Sequence, residues 1–370
     1  MAVISFARGA PAPECLDAET LADCARVALE RDPGILGYGP AGGYAPLREW
    51  IAGRHGVDAA RVALTNGALQ GFAFYARTLL AKRAPRVLVE APTYDRPLKL
   101  LAELGVVVEA VPQDDDGLDP DALEAALGRG EAAFLYTIPT FQNPSGRTIP
   151  TERRRRLVEL ARAHDLPVLE DDPYGLVRYE GEAPPRLLEL EGGELVTYTS
   201  SFSKTIAPGL RVGYFVLPEP LVAPFEDAAV STYITPGLLG EATVWEFVRR
   251  GRFEPNLERV TGLLRARRDA MLDALDRELG GAARWSRPEG GYFLWVDFAD
   301  DVDARELLVR ATEAGVPFVR GTDFFPGASA GRSSARLAGR SSARLAFSFA
   351  SPDEIRDGVA RLAELLPARV

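Results

Sequence analysis

The sequence has few cysteines and few histidines, and each shortage argues against a class of chemistry. Its two cysteines, Cys15 and Cys24, form no Cys-x-x-Cys pair, so neither a disulfide framework nor a thiolate zinc site is indicated. Its two histidines, His55 and His164, lie in stretches that have the pattern of polar helix ends. Metal ligands and imidazole catalysts are therefore in short supply, and we expect no metal site.

Long apolar runs and an excess of positive charge are also missing. No run approaches the roughly eighteen residues of a membrane span, and residues 1–10 lack the basic start and apolar stretch of a secretory signal. With 53 acidic against 43 basic residues, the net charge of -10 gives no general attraction to nucleic acid or to an anionic membrane. We therefore predict a cytoplasmic protein with no nucleic-acid or membrane partner.

Lysine is the scarcest charged residue, which makes each lysine informative. Among 43 basic residues only Lys82, Lys99 and Lys204 are lysines, so this chain uses arginine wherever a simple positive charge suffices. Arginine cannot lose its proton or add to an aldehyde, whereas a desolvated lysine amine can form a Schiff base. Lys82 and Lys99 lie among arginines in helix-like stretches and are interpreted as solvated charges. Lys204 is the candidate for a chemical role.

Lys204 lies on a loop between two predicted strands, 195–198 and 212–217, because two paired apolar strands need a turn between them. The loop contains several hydroxyls, a glycine after a proline, and an arginine. These are the hydrogen-bond donors that a bound phosphate requires. The alternative is a polar connection that contains a lysine by chance.

The segment 200–214, Ser-Ser-Phe-Ser-Lys-Thr-Ile-Ala-Pro-Gly-Leu-Arg-Val-Gly-Tyr, resembles a known motif. It is similar to the cofactor-lysine motif of fold-type I enzymes that use pyridoxal 5'-phosphate (PLP). In particular it resembles the class I/II aminotransferases of the 2-aminoadipate and broad-specificity amino-acid group. The resemblance runs over about residues 4–365, which is nearly the whole chain.

The fold expected is α/β. Apolar strands alternate with helical stretches between about residues 37 and 245, which predicts a mostly parallel sheet. The resemblance implies a large PLP-binding domain, residues 37–245, with a seven-stranded type of sheet between helices. Residues 1–36 and 246–370 are expected to form a smaller α+β domain. A chain of 370 residues with 46% hydrophobic residues is long enough for two such cores.

Two further motifs supply groups that PLP chemistry needs. An acid must face the pyridine nitrogen, because protonation there makes the ring an electron sink. In the family this aspartate lies three residues before a tyrosine, so within 170–175 the resemblance selects Asp171 and places Tyr174 near the phenolic oxygen. Residues 143–146, Asn-Pro-Ser-Gly, match the family's Asn-Pro-Thr-Gly loop. Asn143 would then contact the phenolic oxygen and the substrate carboxylate. The alternatives are a solvated acidic run and a simple tight turn.

The phosphate is expected where a predicted strand, 62–65, leads through glycine into a predicted helix, 68–80. Such a junction presents free backbone N–H groups and the positive end of a helix dipole. Relatives usually have Gly-Ser-Gln-Gln here, whereas this chain has two apolar residues in place of polar ones, so only backbone donors remain. The implied phosphate ligands are Gly67, Ala68, Leu69, Ser201, Ser203 and Arg211.

Two tyrosines complete the implied cofactor site. Tyr94 matches the aromatic residue that stacks on the pyridine face. Tyr38 lies in a loop that resembles the one from which a neighbouring subunit reaches the phosphate. This match implies a homodimer in which Tyr38 serves the partner's site.

The substrate ligands lie near the two ends of the chain. Residues 331–338 are repeated as residues 339–346, a tandem duplication. Relatives bind the α-carboxylate through an arginine in an Arg-Leu-x-Phe-Ser strand, a task that suits a planar guanidinium. Arg344 matches this pattern and Arg336 does not. We interpret the additional copy as a loop insertion that is either disordered or disturbs the start of the strand.

Gly9 matches a glycine that lies close to the substrate carboxylate, but relatives have glycine where this chain has Arg8. Many relatives also carry a leading helix that covers the substrate side chain, and none precedes this segment here. The amino-acid donor therefore stays open.

The implied function is PLP-dependent transamination. Lys204 would hold PLP as an aldimine, and the amino group of an L-amino acid would pass by a ping-pong mechanism to a 2-oxo acid such as 2-oxoglutarate. One alternative is another fold-type I reaction, such as β-elimination by a lyase. A second is a non-catalytic ligand-binding module of the kind fused to helix-turn-helix regulators. It is disfavoured because Met1 leads directly into the enzyme-like segment.

Overall fold

The computed structural model describes residues 2–327 and 338–366; residues 331–337, Arg336 among them, lie outside these ranges. The helices are α1 (Ala18–Arg31), α2 (Ala45–His55), α3 (Ala68–Leu80), α4 (Asp95–Glu103), α5 (Pro120–Leu127), α6 (Thr151–Ala163), α7 (Leu187–Glu191), α8 (Glu219–Tyr233), α9 (Leu238–Arg249), α10 (Phe253–Glu278), α11 (Ala304–Glu313) and α12 (Pro352–Ala363). The strands are β1 (Val62–Thr65), β2 (Arg86–Ala91), β3 (Val107–Asp114), β4 (Gly117–Leu118), β5 (Phe134–Thr137), β6 (Val168–Asp171), β7 (Val196–Ser201), β8 (Gly213–Val216), β9 (Ala283–Trp285), β10 (Phe293–Phe298), β11 (Val319–Arg320) and β12 (Ser342–Ala346).

Within the described residues, the larger sheet has eight strands in the order β1-β8-β7-β6-β5-β2-β3-β4. Neighbouring strands from β7 to β3 pair in parallel, whereas β8 runs antiparallel to both of its neighbours. This confirms the predicted α/β fold with a mostly parallel sheet. The sheet has one strand more than the expected seven, because the two-residue β4 turns back to pair with the end of β3. A pairing this short leaves no apolar run in the sequence to reveal it.

Helices cover both faces of this sheet, as a parallel sheet requires. One face packs against α3, α4 and α8, and the other packs against α2, α5, α6, α7 and α9. Strands β1, β5 and β8 are buried along their whole length. The strand and helix predicted at 62–65 and 68–80 coincide with β1 and α3.

A second, antiparallel sheet has the order β11-β12-β10-β9. Its core combines residues 4–15 with residues from α10, α11 and α12, and the first segment is held by backbone hydrogen bonds from Ile4 to Gly315 and from Phe6 to Pro317. Helix α1 instead packs on α9, and its Cys24 belongs to a core of the large sheet. The division into residues 37–245 and residues 1–36 with 246–370 stays a prediction.

Strand β12 carries the second copy of the repeated octapeptide. It pairs with β10 from Ser342 to Ala346, and Arg344 lies opposite Trp295 on one side and Val319 on the other. The start of the strand is therefore regular in the described residues, and Arg344 occupies its centre.

Candidate active site

The predicted site residues converge at the carboxyl ends of parallel strands, where ligands bind in open α/β sheets. Asp171 is the last residue of β6, Ser201 is the last residue of β7, and Asn143 lies in the loop after β5. Arg344 reaches the same place from the small sheet, since it bonds to Asn143. The site therefore lies between the two sheets.

Lys204 is held among backbone and aromatic groups. Its Nζ donates to the carbonyl oxygen of Gly9 at 3.1 Å and lies 5.1 Å and 5.7 Å from the ring centroids of Tyr292 and Tyr174. Burial, reinforced by the positive charges of Arg344 and Arg211, lowers the pKa of this amine to about 8. About a tenth of the amine is therefore neutral, and nucleophilic, at pH 7.

Asp171 is a carboxylate with one hydrogen bond and no cationic partner in the described chain. The hydroxyl of Tyr136 donates to its Oδ2 at 2.7 Å. Burial raises the pKa of Asp171 to about 7, the bond from Tyr136 opposes this shift, and the nearby Asp172 adds to it. A positive group brought to this carboxylate would favour its ionised form.

The other two acids of the run have structural partners. Asp172 accepts from the backbone N–H of Gly175 at 2.7 Å and from the Tyr198 hydroxyl at 3.0 Å. Glu170 accepts from the N–H groups of Leu187 and Leu188, the first two residues of α7, at 3.0 Å each. Both side chains are buried, so the interpretation of this run as solvated surface is wrong. These contacts set Asp171 apart from its two neighbours.

The predicted phosphate end is built from backbone, hydroxyls and one exposed arginine. Gly67 precedes α3 with a φ of 89° and provides no side-chain cap for the helix. A Cβ at this position would collide with the guanidinium of Arg211, so only glycine lets that cation approach the start of α3. The hydroxyls of Ser201 and Ser203 make no hydrogen bond within the described residues. The first amides of the helix, those of Ala68 and Leu69, lie at the same junction.

The opposite end is built around a buried arginine. Arg344 donates from Nη1 to the Asn143 side-chain oxygen at 3.0 Å and from Nη2 to the carbonyl of Ala7 at 2.9 Å. Its guanidinium lies 4.1 Å from the ring centroid of Phe293, and its Nε is buried without a hydrogen-bond partner. Burial lowers its pKa to about 10. An anion that reached this group would find a charged and partly unsatisfied donor.

Asn143 is positioned by residues that sequence reasoning missed. The side-chain amide of Gln142 donates to Glu90 at 3.1 Å, and its oxygen accepts from the backbone N–H of Ser145 at 2.7 Å. Glu90 also accepts from the backbone N–H of Ile138 at 2.8 Å. A glutamate inside the apolar strand β2 was the available signal, because a buried acid must find donors.

The remaining candidates are placed as follows. Tyr174 is buried and packs against Tyr292, with ring centroids 5.3 Å apart. Tyr94 directly precedes α4, and burial, followed by the charges of Asp95 and Asp171, raises its pKa. Tyr38 is 82% exposed and contacts none of the other candidates. The structure therefore brings the candidates together within one chain, with Tyr38 as the exception.

This set of groups fits PLP. Free amides, hydroxyls and Arg211 supply donors for a phosphate, whereas Asp171 lacks the cation that a protonated pyridine nitrogen would supply. Lys204 provides an amine of lowered pKa for an aldehyde. Within the described ranges no cluster of histidine, cysteine, aspartate and glutamate has the form of a metal site, and no helix there is long and apolar enough to span a membrane.

Comparisons with known proteins agree with this assignment. The family model for aminotransferase class I and II matches residues 3–346. The chain is 38% identical to the 2-aminoadipate transaminase of Thermus thermophilus, over 98% of the chain and 90% of that protein. It is 32% identical to the aromatic-amino-acid aminotransferase 1 of Thermococcus litoralis, over 98% and 88%.

A solved structure is also similar. The alpha-aminoadipate aminotransferase of Thermus thermophilus, complexed with N-(5'-phosphopyridoxyl)-L-leucine, superimposes with a TM-score of 0.91 at 35% identity. The match covers 98% of this chain and 92% of that one.

Proposed function

This chain belongs to the class I and II aminotransferases and is a PLP-dependent transaminase, and on that premise we propose which residues perform the transfer and on which substrates. The donor is an L-amino acid and the acceptor is a 2-oxo acid such as 2-oxoglutarate, each processed in turn at one site. The observation that carries this proposal is that the side chains of Lys204 and Arg344 lie close together. The amine and the guanidinium bond to the carbonyls of Gly9 and Ala7, two residues apart on one segment. An α-amino acid requires this proximity of amine chemistry and carboxylate recognition.

Arg344 and Asn143 bind the α-carboxylate. The buried Nε of Arg344 has no partner in the described chain, and a carboxylate would satisfy it together with one Nη group in the bidentate geometry that guanidinium favours. Gly9 borders this position, because its carbonyl accepts from Lys204 and its Cα lies against the ring of Phe293.

Bound PLP supplies a conjugated ring that withdraws electrons from the substrate Cα. Asp171 would hold the ring nitrogen, Tyr94 would pack on the ring, and Tyr174 and Asn143 would bind the phenolic oxygen. The phosphate would be held by Gly67, Ala68, Leu69, Ser201, Ser203 and Arg211.

Lys204 moves the proton. Its Nζ would hold the cofactor's aldehyde carbon, and with substrate bound the freed amine would accept the Cα proton and deliver it to the cofactor's C4′ carbon. The lowered pKa of this amine, about 8, suits both roles, since a base is most effective when its pKa lies near the working pH.

The protein acts as a cytoplasmic homodimer in which Tyr38 of each chain serves the other chain's phosphate site. Its 82% exposure, next to the 70% exposed Leu36, supports this proposal, because exposed large apolar side chains close together mark interaction surfaces. Light scattering should give twice the chain mass. A mixed dimer of Tyr38→Phe and Lys204→Ala chains should contain one site with both defects and one site with neither, whereas a Tyr38 that serves its own chain would leave one defect in each site.

A donor panel tests the reaction. Aromatic amino acids and 2-aminoadipate, the donors named for the relatives, should be included with leucine, alanine and glutamate, each with and without 2-oxoglutarate or pyruvate. We expect turnover that depends on the oxo acid. Release of ammonia without an oxo acid would instead indicate a β-eliminating lyase, and cofactor binding without turnover would indicate a ligand-binding module.

A further inference from the structure

Tyr136 is a fully buried tyrosine in β5 that the roles proposed above do not use. None of its surface is exposed, and its ring meets that of Phe72 edge-on with centroids 5.4 Å apart. The one polar contact of its hydroxyl among the described residues is the hydrogen bond that it donates to Asp171 Oδ2 at 2.7 Å. A buried hydroxyl needs a partner, and this one has an acid of the site.

Strand register explains the contact. Strands β5 and β6 are parallel, and Tyr136 lies beside Leu169 in the pairing. Asp171 is two residues further along β6, so its side chain points to the same face of the sheet as that of Leu169. The long tyrosine side chain spans this offset toward the strand end.

Asp171 depends on this single contact. No other described residue donates a hydrogen bond to its carboxylate, and its Oδ1 accepts none. No arginine or lysine contributes to its electrostatic environment, whereas Asp172 adds a like charge. The orientation of the carboxylate therefore rests on the hydroxyl of Tyr136.

We propose that Tyr136 is a positioning residue that acts through Asp171, holding Oδ2 so that Oδ1 stays free for the cofactor's ring nitrogen and favouring the ionised carboxylate. This inference rests on the proposed role of Asp171. A tyrosine hydroxyl suits this task because it donates to a carboxylate without adding a charge that would compete with the ring nitrogen for it.

The competing explanation is that Tyr136 only fills the core. Tyr75 provides the matched control, since it is equally buried in the same apolar cluster and its hydroxyl has no contact with Asp171. Tyr136→Phe and Tyr75→Phe each remove one buried hydroxyl, so a packing effect should appear in both.

The experiment uses the holoenzyme reconstituted with PLP that carries 15N at the ring nitrogen. In Tyr136→Phe we expect the 15N chemical shift to move toward that of the unprotonated ring, the PLP dissociation constant to rise about threefold to tenfold, and kcat to fall about tenfold with little change in the amino-acid KM. In Tyr75→Phe all of these values should stay near those of the original protein. An unchanged 15N shift in Tyr136→Phe would overturn the proposal.

The variant Asp171→Asn tests the role proposed for Tyr136 separately from the role proposed for Asp171. If Tyr136 acts through Asp171, then Tyr136→Phe has no further effect on the 15N shift in an Asp171→Asn background. If Asp171→Asn itself leaves the shift unchanged, the role proposed for Asp171 fails. If it changes the shift but Tyr136→Phe does not, only the present inference fails.

Should Tyr136→Phe not fold, 3-fluorotyrosine placed at position 136 gives a second measurement. The fluorinated hydroxyl is a stronger donor of nearly the same size, so the 15N shift should move toward the protonated ring. No movement, or movement the other way, would contradict the proposal.

Discussion

The two ends of the active site are built differently. At the carboxylate end, Arg344 is buried and already bonded to Asn143 and to the backbone of Ala7. At the phosphate end, Arg211 is exposed, two serine hydroxyls have no partner in the described chain, and the backbone supplies the remaining donors. Arg211 also donates to the carbonyls of Pro208 and Asn66, so the two ends differ in burial and in the serine hydroxyls that have no partner among the described residues, and the carboxylate end is the more organised of the two before a ligand binds.

This difference separates two kinds of effect. A preorganised end loses little entropy on binding and should discriminate strongly between substrates. The open end should determine how firmly the cofactor is retained, and its exposed donors are more easily compensated by water. Substitutions at the carboxylate end should therefore change kcat/KM for amino acids, and substitutions at the phosphate end should change the PLP dissociation constant.

Lys204 lies between the two ends, and its loss should have the largest effect. Lys204→Ala should lower kcat at least ~10³-fold, because it removes both the nucleophile and the base. Steady-state assays with a good donor and 2-oxoglutarate measure this loss. Lys82→Ala is the control, since Lys82 is an exposed lysine outside the site. Equal activities of the two variants would contradict the assignment.

Arg344→Lys should impair binding of the substrate carboxylate without affecting binding of the cofactor. It should lower kcat/KM for amino acids about 100-fold, because an ammonium cannot reproduce the paired donors of a guanidinium. The PLP dissociation constant should stay within about twofold. Arg340→Lys is the matched control, because Arg340 belongs to the same segment but is exposed and paired with Asp303. A large change in PLP affinity in Arg344→Lys would show that substrate binding and cofactor binding do not depend on separate ends of the site.

Arg211→Ala should affect the phosphate end. The loss of a charge-assisted contact should raise the PLP dissociation constant about 10-fold to 30-fold, while the amino-acid KM at saturating PLP changes little. Fluorescence titration of the apoenzyme measures the first value and steady-state kinetics the second. Arg305→Ala, at an exposed position on α11, should change neither. Unchanged PLP affinity in Arg211→Ala would remove this residue from the phosphate site.

The smallest expected effect concerns pH. The pKa of Lys204 is lowered from 10.5 to about 8, so the neutral amine predominates above that pH rather than above 10.5. The rate at which apoenzyme captures PLP should therefore rise about tenfold between pH 7 and 9 and then level off. Stopped-flow absorbance measures this rate, and N-acetyl-lysine amide under the same conditions corrects for the ionisation of PLP itself. A capture rate that keeps rising up to pH 10 would show that the pKa of the Lys204 amine is not lowered.

Most residues of the candidate site could be selected from the sequence because their chemistry is rare in this chain, and the structure brings them together. Lys204, one of three lysines in an arginine-rich chain, an asparagine in a turn and an acid at the end of a strand are each visible in the sequence. Tyr136 was not predictable in this way, since it lies in an apolar run that resembles an ordinary buried strand. Only the register of β5 against β6 brings it to Asp171, and register is set by contacts between distant parts of the chain.

The support of the Asn143 loop was hidden for the same reason. Glu90 and Gln142 are 52 residues apart, and nothing local in either segment indicates that they meet. The choice of Arg344 over Arg336 had a different basis, because it depended on the residues that follow each arginine. The structure shows the place of Arg344 in β12, while Arg336 lies outside the described residues.

The bond between Arg344 and the Ala7 carbonyl joins positions 337 residues apart. A ribosome delivers the first of these positions early and the second near the end of translation, after the strands of the large sheet have emerged. A growing chain can therefore form most of the large sheet before it is able to bind the carboxylate of an amino acid. Enzymatic competence arrives with the last strand, so unfinished or prematurely terminated chains should be inert toward the free amino acids around them.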